Sequence, residues 1–177
     1  MKTKKYLIGS LVLTIFYLIL CYAQFGMAPS ISHYAIDWRD TSMQYMPFVW
    51  VTSILVMIGV YCFDAGKYGW MLFTSILVLT GIGYFTGYNP EFMNNKVENF
   101  IHVACVYISI PLALTYIIIS SKSKGLSILL TITFLIFTVL MLTFEVKNHT
   151  TYIEEYCFAV IYFYLIYRDD LNIIKSE

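Results

Sequence analysis

The chain has 177 residues, of which 59% are hydrophobic and only 12% charged, with a mean hydropathy of +0.72 and a formal net charge of zero. That balance excludes a soluble globular domain of this size. The sequence also shows no glycine-rich phosphate loop, no nucleophile elbow and no basic patch for nucleic acid.

Six continuous apolar runs lie between polar breaks, each about long enough to cross a hydrocarbon core of roughly 30 Å as a helix. They predict an all-α fold, a six-helix transmembrane bundle forming one integral membrane domain over residues 1–177. Strands fit poorly, because the runs do not alternate and are about twice the length of a barrel strand.

The first span, 6–24, follows Lys2, Lys4 and Lys5. This arrangement also fits a secretion signal, but the apolar run exceeds the usual core of about 7 to 15 residues, so the helix is expected to be retained. A lipoprotein site at Cys21 is disfavoured by bulky Ile19 and Leu20 before it. The loop 25–45 carries Ile31, Tyr34, Ala35 and Trp38 at helical spacing, with His33, Asp37 and Asp40 opposite. It is expected to form a short interfacial helix lying on the outer surface, its aromatics among lipid head groups.

Spans two and three, 46–63 and 69–88, are joined by the short AGKY connection. Near the end of span three, Gly83 and Gly87 make a small-x-x-x-small pattern for close helix contact, within the chain or in a homo-oligomer. Asn89-Pro90-Glu91 reads as a helix start, from which Met93, Val97, Phe100, Ile101 and Ala104 carry an apolar stripe into span four, 100–120. Pro111 removes one backbone bond in mid-span and predicts a bend. Span five is 126–144, and span six, 152–167, opens with Thr151 and Glu154 as a capping box.

All four cysteines, Cys21, Cys62, Cys105 and Cys157, fall within spans at spacings that suit packing rather than a metal or disulfide framework. Trp38, Trp50, Trp70, Tyr84 and Tyr88 lie near predicted interfaces, where anchoring accounts for most of them. Lys2, Lys4, Lys5, Lys67, Lys122, Lys124, Arg168 and Lys175 fall on the side of the termini, against Arg39, Lys96 and Lys147 on the other. The positive-inside rule then places both termini in the cytoplasm.

The outer side receives all three histidines, His33, His102 and His149. Glu98 and His102 are four residues apart on one helical face, where a polar segment becomes apolar. Glu155 has no capping duty, and a carboxylate entering hydrocarbon needs a partner or a wet pocket; His102 is the expected partner. Glu145, His149, His33 and Asp37 lie within reach on neighbouring loops. One reading is a polar cluster that organises the mouth of the bundle and contacts membrane lipid. A second makes His33, His102 and His149 ligands of zinc or another divalent metal, with Glu155 as general base of a hydrolase. A third is a proton-coupled carrier using Glu155 and His102. No close pair of metal ligands in the sequence demands the second.

Four segments, PSISHY, GIGYFTGYNP, NFIHVACVYISI and YIEEYCFAVIYFYLIY, together resemble six-helix bacterial membrane proteins similar in layout to the Frag/DRAM/Sfk group. The resemblance implies a retained first helix, an outer loop carrying Ser32 and His33, His102 opening helix four, and Glu154 or Glu155 near the start of helix six. It also implies a link to membrane lipid organisation. A looser comparison is with alkaline ceramidases and progestin-type receptors, which bind zinc between helices; this chain has six predicted spans instead of their seven and lacks paired histidines on the last one.

Overall fold

In the computed structural model, the residues described are 3–28, 30–64, 66–84, 96–143, 155–156 and 158–167. Among them all regular secondary structure is helical, with no strand. The elements are α1 (Lys4–Phe25), α2 (His33–Arg39), α3 (Met46–Asp64), α4 (Gly69–Ile76), a π-helical continuation of α4 (Leu77–Tyr84), α5 (Lys96–Ser120), α6 (Lys124–Thr143) and α7 (Phe158–Tyr167).

Three stretches, Lys4–Phe25, Met46–Asp64 and Phe100–Ser120, are long and apolar enough to cross a membrane. The 22 residues of α1 make about 33 Å of helix, matching a hydrocarbon core of roughly 30 Å. The apolar stretches Gly69–Ile82, Lys124–Thr133 and Phe158–Tyr167 are shorter.

Leaving aside the short α2, the helices pack side by side in chain order: α1 on α3, α3 on α4, α4 on α5, and α5 on α6. All of them, with α7, converge on one core, to which Leu7, Ile58, Leu72, Ile117, Leu130 and Leu165 each contribute a fully buried side chain from a different helix. On α7 the buried face runs through Ile161, Tyr162 and Leu165, while Ala159 is exposed.

The faces of α1 are inverted relative to a soluble helix. Its buried seam, Leu7, Ser10, Thr14, Tyr17 and Cys21, recurs at spacings of three and four. Ser10 and Thr14 are 0% and 3% exposed, whereas Phe16 and Ile19 are 55% and 58% exposed. Thr14 donates its hydroxyl to the Ser10 carbonyl at 2.9 Å and receives the Trp50 indole N–H at 3.4 Å. Tyr17 stacks on Trp50 with ring centroids 4.3 Å apart.

Between α4 and α5 the glue is again a hydroxyl. Ser75 donates to the Ser109 carbonyl at 2.5 Å, and Ser109 in turn donates to the Cys105 carbonyl. This contact sits two residues before Pro111, which α5 carries within its length. The orphaned carbonyl is that of Tyr107, one turn earlier, so α4 is tied into the turn that the proline weakens. The π-helical turns after Ile76 were not expected from the apolar run, which shows only that the segment is buried or lipid-facing. Gly81 and Gly83 lie within these turns, where backbone freedom helps the wider winding.

The short helix expected in the loop 25–45 is present as α2, with Tyr34, Ala35 and Trp38 on one buried face. Its aromatics do not face lipid head groups, as the sequence suggested. They form a second core with Tyr17, Cys21, Trp50 and Ile54, against α1 and α3. The anchoring assignment also fails for Trp38 and Trp50, which are buried; Trp70 is 62% exposed and fits it. An aromatic stripe looks alike whether it faces head groups or a protein surface, and here the α1 and α3 side chains supply the better partner.

Candidate functional site

The ends of the bundle are defined by two sets of contacts. At one end Thr3, preceding α1, donates to Asp64 at the end of α3 at 2.8 Å. At the other, the chain leaves α1 at Gly26, whose φ of 70° is open to glycine and whose N–H caps the Tyr22 carbonyl at 3.0 Å. Tyr34 then fastens the turn, donating its phenol to the Gly26 carbonyl at 2.9 Å and accepting the Ala28 N–H at 3.2 Å.

That fastened turn brings two polar groups together. Ser30 and Ser32 lie 2.9 Å apart through their hydroxyls, and Ser32 meets His102 Nε2 of α5 at 3.2 Å. Beside them Tyr22 donates its phenol to Glu155 Oε1 at 2.5 Å, joining α1 to the chain just before α7. The Tyr22 and Tyr34 rings meet edge to face at 6.0 Å and so connect the two groups. Burial pushes the Tyr34 phenol above its ordinary value of 10.0, and the Ala28 N–H pulls it part of the way back. Ser32 is buried, and Tyr22, Ser30, His102 and Glu155 are half-buried.

The expected His102–Glu155 pair is replaced by two separate bonds, His102 with Ser32 and Glu155 with Tyr22. His33 faces Asp37 at 3.9 Å along α2, a long contact between half-exposed side chains. Burial raises the Asp37 carboxyl above its ordinary value of 3.8, with His33 offsetting part of the rise. Among the described residues no three or more His, Cys, Asp or Glu side chains come together as a metal-ligand group. The side chain of Glu98, together with Glu145, His149, Thr151 and Glu154, lies outside the described residues, as do Asn89-Pro90-Glu91 and Gly87. The sequence reading missed Tyr22, Ser30 and Tyr34 as site members. A signal was present in the hydroxyl-bearing seam of span one, which shows that α1 turns polar groups inward.

Compared with known protein families, curated proteins and solved structures, the chain matches none.

Proposed function

We propose that this is a multi-pass, six-span protein of the bacterial cytoplasmic membrane that engages lipid at its α2 end through a polar cluster, by contact rather than by catalysis. The inverted polarity of α1 carries the reading: serine and threonine are buried while Ile15, Phe16 and Ile19 are exposed, an arrangement that favours hydrocarbon as solvent. Exposed Ile128, Ile132, Leu135 and Val139 on α6 support it in the same way.

Orientation follows from charge. Lys4, Lys67, Lys122 and Lys124 lie at or beside the end marked by the Thr3–Asp64 bond or at the α5–α6 connection, whereas α2 holds Arg39 with Asp37 and Asp40 near it. The positive-inside rule puts the α2 end, with Ser32, His102 and Glu155, outside and the termini inside. The resemblance to the Frag/DRAM/Sfk layout agrees with a role in lipid organisation.

The test is purification in mild detergent with phosphorus analysis, paired with turnover of a fluorogenic lipid ester. The reading predicts phospholipid retained at about one or more molecules per chain, and an ester background unchanged by His102→Ala. Lipid-free folded protein, or hydrolysis that depends on His102, would refute it.

A further inference from the structure

The two halves of the polar cluster differ in chemistry, and among the described residues one half is paired with no cation. Glu155 is half-buried where α7 approaches α1, yet among the described residues its hydrogen-bond partner is a neutral phenol, that of Tyr22. The ion pairs within the described residues, His33 with Asp37 and Arg39 with Asp40, do not involve it. A carboxylate taken partly out of water without a cation loses solvation that one phenol restores only in part. The half-buried Tyr22 ring, backed edge to face by the fully buried Tyr34, lies beside the carboxylate, where an ammonium group gains charge pairing and contact with an aromatic ring.

The other half is built for an anion. Ser30 and Ser32 present two hydroxyls 2.9 Å apart, and His102 stands 3.2 Å from Ser32 on a different helix. Hydroxyls and imidazole N–H groups of this kind donate to phosphate oxygens. Tyr34 holds the geometry: its phenol fixes the backbone at Gly26 and Ala28, between Tyr22 and the two serines in the chain. The anion half and the carboxylate half are therefore carried on opposite sides of one locked turn.

We propose that this end of the bundle binds the head group of a zwitterionic aminophospholipid, with the primary ammonium on Glu155 beside Tyr22 and the phosphate on Ser30, Ser32 and His102. The assignment rests on the lipid-binding reading above and deepens it by naming the head-group class. Phosphatidylethanolamine has the required charges one short linker apart, whereas phosphatidylglycerol offers the phosphate and no cation. Ile19, about one turn inward of Tyr22 on α1, is exposed and open to an acyl chain.

The experiment titrates the full-length protein in detergent with short-chain phosphatidylethanolamine, short-chain phosphatidylglycerol and soluble O-phosphoethanolamine, following binding by native mass spectrometry. Wild-type protein is expected to prefer the ethanolamine lipid over the glycerol lipid by about tenfold, the size of one charge-assisted contact at a partly wet site. Glu155→Gln, which keeps the bond from Tyr22 while removing the charge, is expected to abolish that preference. Serine-to-alanine change at Ser30 is expected to weaken both lipids together. Equal binding of the two lipids by the wild type, a comparison that needs no variant, would overturn the head-group assignment while leaving lipid binding intact. Loss of all lipid binding would overturn both readings. Soluble O-phosphoethanolamine binding as tightly as the lipid would overturn the lipid source of the ligand.

Discussion

Tyr22 and Glu155 show how much a single residue pair decides in this chain. Their 2.5 Å bond links two elements 133 positions apart in sequence. Tyr22→Phe removes the donor and leaves the carboxylate without its phenol, so it should lower the unfolding free energy in detergent by roughly 1.5 to 3 kcal/mol, measured by denaturant titration. A loss below the error of the titration would mean the contact contributes nothing. Asp37 gives a pH-dependent counterpart. Its folded-state value is raised from 3.8, chiefly by burial, so its protonated form favours the fold. That contribution is complete below the unfolded value and disappears as pH rises through the folded one. Asp37→Asn should therefore remove a loss of stability that sets in as pH rises above 3.8, so that its gain over the wild type grows with pH and persists at neutral pH, as followed by thermal melts across pH. A gain that shrinks as pH rises would contradict the sign.

Among the elements, α1 and α2 are where sequence and structure diverge most usefully. Helix positions followed from apolar run length: the apolar runs at 46–63 and 126–144 are helical, as Met46–Asp64 and Lys124–Thr143. The stripe of Tyr34, Ala35 and Trp38 was equally legible, because helical periodicity survives whatever the helix packs against. Its destination was not, since burial against α1 and burial among head groups select the same side chains. The Tyr17–Trp50 stack and the indole bond to Thr14 make α3 the partner that draws α2 and α1 together. Trp50→Ala should cost of order 3 kcal/mol, as large core truncations do, whereas Thr14→Val should cost about 0.6 kcal/mol, the average for hydrogen bonds between helices in a membrane. Comparable losses in the two variants would show that the hydroxyl, rather than ring packing, holds this end.

At the scale of the whole molecule, membrane character was legible from composition and from the apolar runs, whereas the site was legible only in part. His102 and Glu155 stood out because an ionisable group in an apolar run is costly and therefore conspicuous. Their partners, Tyr22 and Ser32, did not, because tyrosine and serine are common in membrane helices and neither signals its contact without coordinates. Long-range pairing of this sort depends on how six helices meet at Leu7, Ile58, Leu72, Ile117, Leu130 and Leu165, and no local spacing encodes that arrangement.

In the proposed orientation the α2 end of this bundle faces out of the cell, with hydrocarbon around its helices. The direct measurement is labelling of single cysteines by a membrane-impermeant maleimide in intact cells, with Cys21, Cys62, Cys105 and Cys157 first replaced. Asp40→Cys, beside α2, should be labelled in intact cells, and Lys67→Cys, between α3 and α4, only after permeabilisation. Labelling of both positions from the same side, or of Lys67→Cys alone in intact cells, would contradict the account.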